Sequence, residues 1–335
     1  MIKIIPFMLL LSFNLSAVAS ETPLNTSEEE ANKIKPVSAK LWLERLSVAL
    51  KELNFNTSFV VVKNNQAEPY HWFHGVDENN EELEIFATLN GPRRDILRKG
   101  DIISYIEPET PPYSVDSETI SGPIPAILSG DIASLEASYE FISVGRSRIL
   151  GRVAQLIRIV SKEQDRFGYW LWLDQESGLL LKLAIISRKG QLLEQVQFTH
   201  LEITDHLVDT IKQLKFAELP PVIENINNST VEELGWEVQW LPTGFKPVKS
   251  NRHRISATKQ AVEFILFNDG LVDVSVYVAA SRDKNRDVEY VMDGATLVLN
   301  QVVNGVEVSV VGKVPSSTAK AIADSVRIKK NNSAP

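Results

Sequence analysis

Residues 38–63 read SAKLWLERLSVALKELNFNTSFVVVK, and the change of rhythm inside them decides the fold. Ser38 can cap a helix running to about Leu53, which puts Trp42, Leu46, Ala49, Leu50 and Leu53 on one face, the spacing of a helix laid on a sheet. From Phe55 the period drops to two. Phe55, Thr57, Phe59 and Val61 share one face of a strand, and Lys63-Asn64-Asn65 turns the chain back.

Working outward, the same period predicts strands near 67–76, 82–89, 93–99 and 101–107, punctuated by Gly91-Pro92 and Lys99-Gly100-Asp101. Short connections argue for an antiparallel meander. The stretch from Glu107 to Ser129 breaks the rhythm with Pro108, Pro111, Pro112, Pro123 and Pro125, too long for a hairpin loop and of the kind that is functional or disordered. Further strands follow near 139–146, 149–161, 167–174, 179–188 and 192–203. About nine or ten strands are enough to curl a sheet into a barrel or half-barrel. A helix is expected over 205–217. Leu219-Pro220-Pro221 and Asn225 to Thr230 then form a polar boundary before a smaller unit, with strands near 261–267, 271–279, 295–302 and 306–314 and a closing helix from about Ser316.

The N-terminus reads as an export signal, with Lys3, an uncharged run from Ile4 to Ala17 and the small-x-small site Ala17-Val18-Ala19. That run falls short of the roughly twenty residues that span a bilayer. The expected divisions are a signal peptide at 1–19, an acidic tail at 20–36, a large half-barrel domain at 37–205, a helix and linker at 206–233 and a small domain at 234–330.

With 35 basic and 43 acidic residues the chain carries a formal charge of −8, and without a long basic stripe it is a poor nucleic-acid binder. The absence of cysteine excludes thiol chemistry and Cys-based zinc sites. His71 and His74 flank Trp72-Phe73 at odd spacing, so they point to opposite faces of a strand and do not share a metal. No nucleophile elbow, zincin helix or phosphate loop occurs, and neighbouring acids such as Glu81-Glu82 lack anything to tune them. These observations predict neither enzyme nor cofactor.

The informative residues are aromatic. Trp72, Phe86, Tyr105, Trp170, Trp172 and Phe198 lie on strands of the first domain, and stretches such as Trp170-Leu171-Trp172-Leu173 and Leu179-Leu180-Leu181 are apolar on both faces. One face suits the 38–53 helix. The other lines either an apolar ligand cavity or a second core layer, and the residues alone leave both open. The basic groups Arg93, Arg94, Arg146 and Arg148 suit acidic groups of a partner or a lipid phosphate, or pair within the fold.

Several strings carry a resemblance: Leu89-Asn90-Gly91-Pro92-Arg93-Arg94, Ile103-Ser104-Tyr105-Ile106-Glu107-Pro108, Tyr139-Glu140-Phe141-Ile142-Ser143-Val144-Gly145-Arg146, Trp172-Leu173-Asp174, Trp240-Leu241-Pro242-Thr243-Gly244-Phe245, Asp269-Gly270-Leu271 and Val311-Gly312. In this order and spacing, from about Leu41 to Ile328, the chain resembles the RseB/MucB family of regulators of the sigma-E envelope-stress response. The resemblance implies an α+β fold: a large antiparallel unclosed β-barrel with helices, similar to LolA/LolB-type carriers, plus a smaller mixed α/β domain. It implies a periplasmic protein that binds the periplasmic region of an RseA/MucA-type anti-sigma factor, blocks its site-1 proteolysis, and is released by lipopolysaccharide or a lipoprotein-type amphiphile. It also favours the cavity over the second core layer, and a homo-oligomer stays open. The alternative is a lipid or lipoprotein carrier, but a carrier needs only the large domain. Two departures from the family pattern are the acidic segment before Ser38 and the Lys/Asn-rich C-terminus.

Overall fold

The structure, a computed structural model, describes residues 38–117, 120, 122–223, 234–254, 261–281 and 288–329. The expected signal peptide, the acidic tail, the Asn225–Thr230 connection and the extreme C-terminus lie outside the described residues. Helix α1 (Ala39–Glu52) starts where the sequence places it, with the Ser38 hydroxyl accepting from the Leu41 amide at 3.2 Å. It buries Trp42, Leu43, Leu46, Ala49 and Leu50. Burial of the four large side chains contributes about 8 kcal/mol of transfer free energy before ordering costs.

Eleven strands follow as one antiparallel sheet: β1 (Asn54–Lys63), β2 (Gln66–Val76), β3 (Glu82–Thr88), β4 (Asp95–Lys99), β5 (Ile102–Ile106), β6 (Tyr113–Asp116), β7 (Tyr139–Ile149), β8 (Arg152–Ser161), β9 (Gly168–Asp174), β10 (Leu180–Ile186) and β11 (Leu192–Thr204). The order β6-β5-β4-β3-β2-β1-β11-β10-β9-β8-β7 joins two meanders through the β1–β11 pair, leaving β6 and β7 as the free edges. The barrel is therefore unclosed between two strands that are consecutive in sequence. The proline-rich connection crosses that gap, with 3-10 turns at Ala126–Ser129 and Ile132–Ala137 that contact α1.

Register fixes two faces. Phe55, Thr57 and Phe59 align with His74, Trp72 and Tyr70, then with Glu84 and Phe86 on β3, forming the inner face under α1. The outer face over β2–β4 is covered by α2 (Asp209–Phe216), whose Ile211 and Leu214 pack with Leu83, Phe73, Ile85 and Leu97. The unbroken Leu179-Leu180-Leu181 has a local cause. A bulge between Leu180 and Lys182 takes up the extra residue, and all three leucines are buried.

The smaller region pairs β12 (Trp236–Val238) with β19 (Val326–Ile328). It adds a six-stranded sheet of β13 (Lys246–Arg254), β14 (Ala261–Asn268), β15 (Asp273–Ala280), β16 (Glu289–Asp293), β17 (Thr296–Val303) and β18 (Val306–Gly312), with α3 (Ser316–Asp324) packed on β17 and β18. None of the described helices is long and apolar enough to cross a membrane.

The two sheets are joined by a buried polar knot. Arg166, between β8 and β9, and Asp269, between β14 and β15, have side chains with 0% exposure and an Nε–Oδ2 distance of 2.5 Å. The Tyr139 hydroxyl donates to the same oxygen at 2.7 Å, and Arg166 lies over the rings of Tyr139 and Phe245. Asp269 Oδ1 accepts from the amides of Leu271 and Val272 at 2.9 and 2.8 Å. Burial, then the Asp269 charge, push the Tyr139 hydroxyl well above its ordinary value. The backbone closes in as well. Gly244 (φ +93) and Gly270 (φ +100) approach Ser138 and Leu135 so closely that a Cβ would lie 2.2 Å from Ser138 Oγ and 2.9 Å from Leu135 Cδ2. One buried apolar cluster continues from α1 and the inner face through Phe245, Phe267 and Leu271 into the core of the second sheet.

Candidate functional site

Two spaces open on the inner face. The first is a cavity of about 70 Å³ between Leu50 of α1, Trp72, Phe86 and the proline-rich segment, which contributes Ile120, Gly122, Pro123, Ile124 and Pro125. It has room for about a handful of waters, well below the roughly 300–1,000 Å³ of sites for drug-sized ligands. Its floor is charged. Arg98 Nη1 lies 2.5 Å from Glu82 and 2.8 Å from Glu84, and the Trp72 indole donates to the other Glu84 oxygen at 2.8 Å. Burial opposes the charge on Arg98, but Glu84 and Glu82 outweigh it and raise its pKa. Beside them His74, 2% exposed, gives its Nδ1 to the Leu53 carbonyl at 2.7 Å, while Nε2 has no hydrogen-bond partner among the described residues. Ligand atoms of His74, Glu82 and Glu84 lie within 4.8 Å of one another. Arg98 already supplies the positive charge a metal would bring there. His71 falls on the other face, stacked on Phe73 with ring centroids 4.1 Å apart.

The second space is a cleft of about 500 Å³ between the half-barrel and the second sheet. It is lined by Tyr70, Phe86, Arg94, Ile96, Tyr105, Gly122 and Pro123 on one side and by Thr296 and Lys313 on the other. Lys313 reaches Glu194 at 2.9 Å, and Lys63 reaches Asp293 at 2.8 Å, so ion pairs bridge the two sheets at its edge. Burial, then Glu68, which accepts the Tyr70 hydroxyl at 2.9 Å, push that hydroxyl up to about 12. Phe86, Gly122 and Pro123 line both spaces. The wall between cavity and cleft is therefore one layer of residues thick.

The aromatic residues singled out in the sequence divide. Trp72 and Phe86 line the cavity, and Tyr105 stacks on Tyr113 at the cleft with centroids 5.3 Å apart. Phe198 is inner-face core, stacked on Phe59 at 5.4 Å, and lines neither space. Trp170 and Trp172 are not in the cavity. Tyr169, Leu171 and Leu173 are the buried hydrophobic residues of β9 and turn inward, so the alternating tryptophans lie on the outer face. The expectation of a helix on one face and a ligand space on the other is corrected: α1 and both spaces share the inner face.

Of the basic residues, Arg93 is exposed and bonded to Asp95 at 2.6 Å, while Arg94 lines the cleft. Arg146 and Arg148 are exposed on the edge strand β7, away from both spaces, with Arg148 donating to the Gly151 carbonyl at 3.1 Å. The charged floor was missed by sequence reasoning, although the signal exists: Glu82 and Glu84 alternate with Phe86 and so fall on the apolar face.

Comparison with known proteins places this architecture. The family model for the MucB/RseB N-terminal domain matches residues 38–223, and that for the MucB/RseB C-terminal domain matches 230–327. The chain belongs to the MucB/RseB family. The sigma-E factor regulatory protein RseB of Escherichia coli K12 is 30% identical over 293 residues, 87% of this chain and 91% of that one. RseB of Haemophilus influenzae is 28% identical over 319 residues, 95% and 96% of the two chains. Among solved structures, the Pseudomonas aeruginosa MucA/MucB complex covers 87% of this chain and 99% of that one, at 27% identity and a TM-score of 0.72. The crystal structure of MucB, 26% identical over the same 87% of this chain and 98% of that one, gives 0.58.

The strings that carried the resemblance have identifiable places in this MucB/RseB chain. Leu89 to Arg94 is the β3–β4 turn at the cleft rim. Tyr139, Thr243-Gly244-Phe245 and Asp269-Gly270-Leu271 meet at the buried knot between the sheets.

Proposed function

We propose that this chain is a periplasmic negative regulator of the sigma-E envelope-stress response. It binds the periplasmic region of a MucA/RseA-type anti-sigma factor in the cleft between its two sheets and shields it from site-1 proteolysis. The observation that carries this is the match to both family domains, in order, together with a TM-score of 0.72 to a MucA/MucB complex. Arg94 is the proposed cleft contact, with Arg93 beside it, and Arg146 and Arg148 form a second basic contact on β7.

Release by a lipopolysaccharide-like amphiphile is part of the same reading, and the shared wall supports it. A cavity of about 70 Å³ cannot take an acyl chain as it stands. Admitting one displaces Gly122 to Pro125, of which Gly122 and Pro123 also border the cleft. Reversing a bound population from 99:1 to 1:99 takes on the order of 5.5 kcal/mol of preference for the unbound form. At roughly 0.8 kcal/mol per buried CH₂, about seven methylenes supply it. The small cavity does not favour the carrier alternative, which would hold such a chain as its cargo.

Calorimetric titration with the anti-sigma periplasmic region tests the reading. Arg94→Glu should weaken binding at least tenfold with an unchanged melting temperature, and Arg146→Glu/Arg148→Glu should do so to a lesser degree. Adding lipopolysaccharide should dissociate the wild-type complex. No binding at micromolar concentration, or lipid binding equally to free protein and complex, would refute the respective half.

A further inference from the structure

The outer face of β8–β10 is not used by either space. On it, the register sets Arg158 of β8 beside Trp170 of β9, and Trp172 of β9 beside Lys182 of β10. Each tryptophan, half-buried, carries a cation: the Arg158 guanidinium lies 5.2 Å from the Trp170 ring centroid and Lys182 Nζ 4.8 Å from that of Trp172. Neither cation has an ion-pair partner among the described residues, and Arg158 Nε is buried with no hydrogen-bond acceptor. Burial alone lowers the Lys182 pKa, the mark of a cation without a counter-charge.

The patch continues along a groove of about 660 Å³ lined by Arg158, Trp170, Val160, Ile186, Arg188 and Lys189. Arg188 and Lys189 are exposed at the turn after β10, and Arg188 bonds to the neutral Gln164. Of the acidic groups near, Asp174 is paired with Arg152 at 2.9 Å and Asp165 with Arg166 at 2.8 Å. Glu163 is held by the Thr243 hydroxyl at 2.6 Å, and Glu140 sits opposite Val160 on the edge strand. Arg158, Lys182, Arg188 and Lys189 have no ion-pair partner among the described residues, which makes this face positive on a chain whose formal charge is −8.

We propose that this outer face docks the protein on an anionic membrane surface, with Trp170 and Trp172 seated at the lipid headgroup level and Arg158, Lys182, Arg188 and Lys189 meeting lipid phosphates. Tryptophan concentrates at the membrane–water boundary because its ring is apolar while its N–H is polar. Each basic residue near an anionic surface contributes about fivefold in affinity. The proposal does not rest on the cavity reading, since cavity and patch lie on opposite faces of the sheet.

The test is flotation of the purified full chain with vesicles of phosphatidylcholine alone or mixed with phosphatidylglycerol, at several salt concentrations. Binding should require phosphatidylglycerol, weaken as salt rises, and shift tryptophan emission to the blue. Arg158→Gln/Lys182→Gln should reduce it roughly 25-fold. Arg188→Gln/Lys189→Gln, which touches only exposed side chains, should weaken it similarly and keeps the test valid if the first variant folds poorly. Trp170→Phe/Trp172→Phe should remove the blue shift. Equal binding to phosphatidylcholine, indifference to both charge variants, or full competition by millimolar inorganic phosphate would overturn the proposal. So would loss of anti-sigma affinity in these same variants, which would make the patch a protein contact.

Discussion

Substituting Asp269→Asn removes the negative charge at the centre of the knot between the sheets and one of its two acceptor oxygens. Asparagine has a single oxygen, which can stay with the Leu271 and Val272 amides at 2.9 and 2.8 Å, while its NH2 takes the place of the oxygen that accepts from the Tyr139 hydroxyl and from Arg166. What is lost is the counter-charge of Arg166, 2.5 Å away with both side chains fully buried. Breaking a buried pair from one side typically costs 3–5 kcal/mol, because the remaining charge is stranded. Arg166 keeps Asp165 at 2.8 Å, so the low end applies: about 3 kcal/mol. Arg166→Met strands Asp269 instead and should cost a similar amount. The double variant leaves this pair with no stranded charge, so it should cost well under the roughly 6 kcal/mol sum of the two, a coupling of at least about 3 kcal/mol. Urea unfolding with linear extrapolation measures all four corners of the cycle. Single variants costing under about 1 kcal/mol, or a strictly additive double, would mean that the pair is solvated and the joint is not held as described.

Two further outcomes follow from the same packing. Gly270→Ala and Gly244→Ala place a Cβ where Leu135 and Ser138 stand and force an L residue to a positive φ, so each should destabilise by about 2 kcal/mol or more, and limited proteolysis should cut between the sheets faster. Asp77 accepts from the Glu81 and Asn79 amides at 3.0 and 2.8 Å and pairs with Lys215 of α2 at 3.1 Å. The Glu81 amide chiefly, with Asn79 and Lys215, holds its carboxyl at about 2 against an ordinary 3.8. A lowered folded-state value stabilises above the unfolded pKa and fades as pH falls toward the folded one. The melting-temperature gap between wild type and Asp77→Asn should therefore be full above about pH 4 and close toward pH 2. A gap that persists at pH 2 would assign it to packing.

Much of the fold was legible because the inner face is a strict two-residue alternation. Phe55, Thr57, Phe59 and Val61 gave β1 its bounds, and turn residues separated most later strands. β6 was missed since Tyr113–Asp116 is four residues beside Pro111-Pro112. Its stability comes from far along the chain, where the Ser114 amide donates to the Pro221 carbonyl and the Ile223 amide donates back. β16 was missed because all five of its residues are exposed and show no buried face. Trp170 and Trp172 misled for a chemical reason. An indole under a cation is a serviceable surface residue, so apolar letters on both faces of a strand need not mean two buried faces. The knot of Arg166, Asp269 and Tyr139 joins residues 103 and 130 positions apart, and no local pattern announces it.

How release would work can be narrowed by comparing costs. Swinging the second sheet away from the half-barrel separates Arg166 from Asp269, exposes Phe245, Phe267 and Leu271, and leaves Tyr139 without its acceptor. The ion pair alone stands for about 3–5 kcal/mol, most of the 5.5 kcal/mol bias that release requires, before any apolar area is counted. The wall at Gly122 to Pro125 has no ion pair among the described residues and borders a cavity of about 70 Å³. Displacing it forfeits dispersion contacts that an entering acyl chain replaces. On these magnitudes the proposed switch runs through the thin wall while the joint stays shut. Asp269→Asn should then shift global stability far more than the lipid concentration needed for release, whereas a substitution that thickens the wall, such as Gly122→Val, should shift the lipid dependence and leave urea unfolding nearly unchanged.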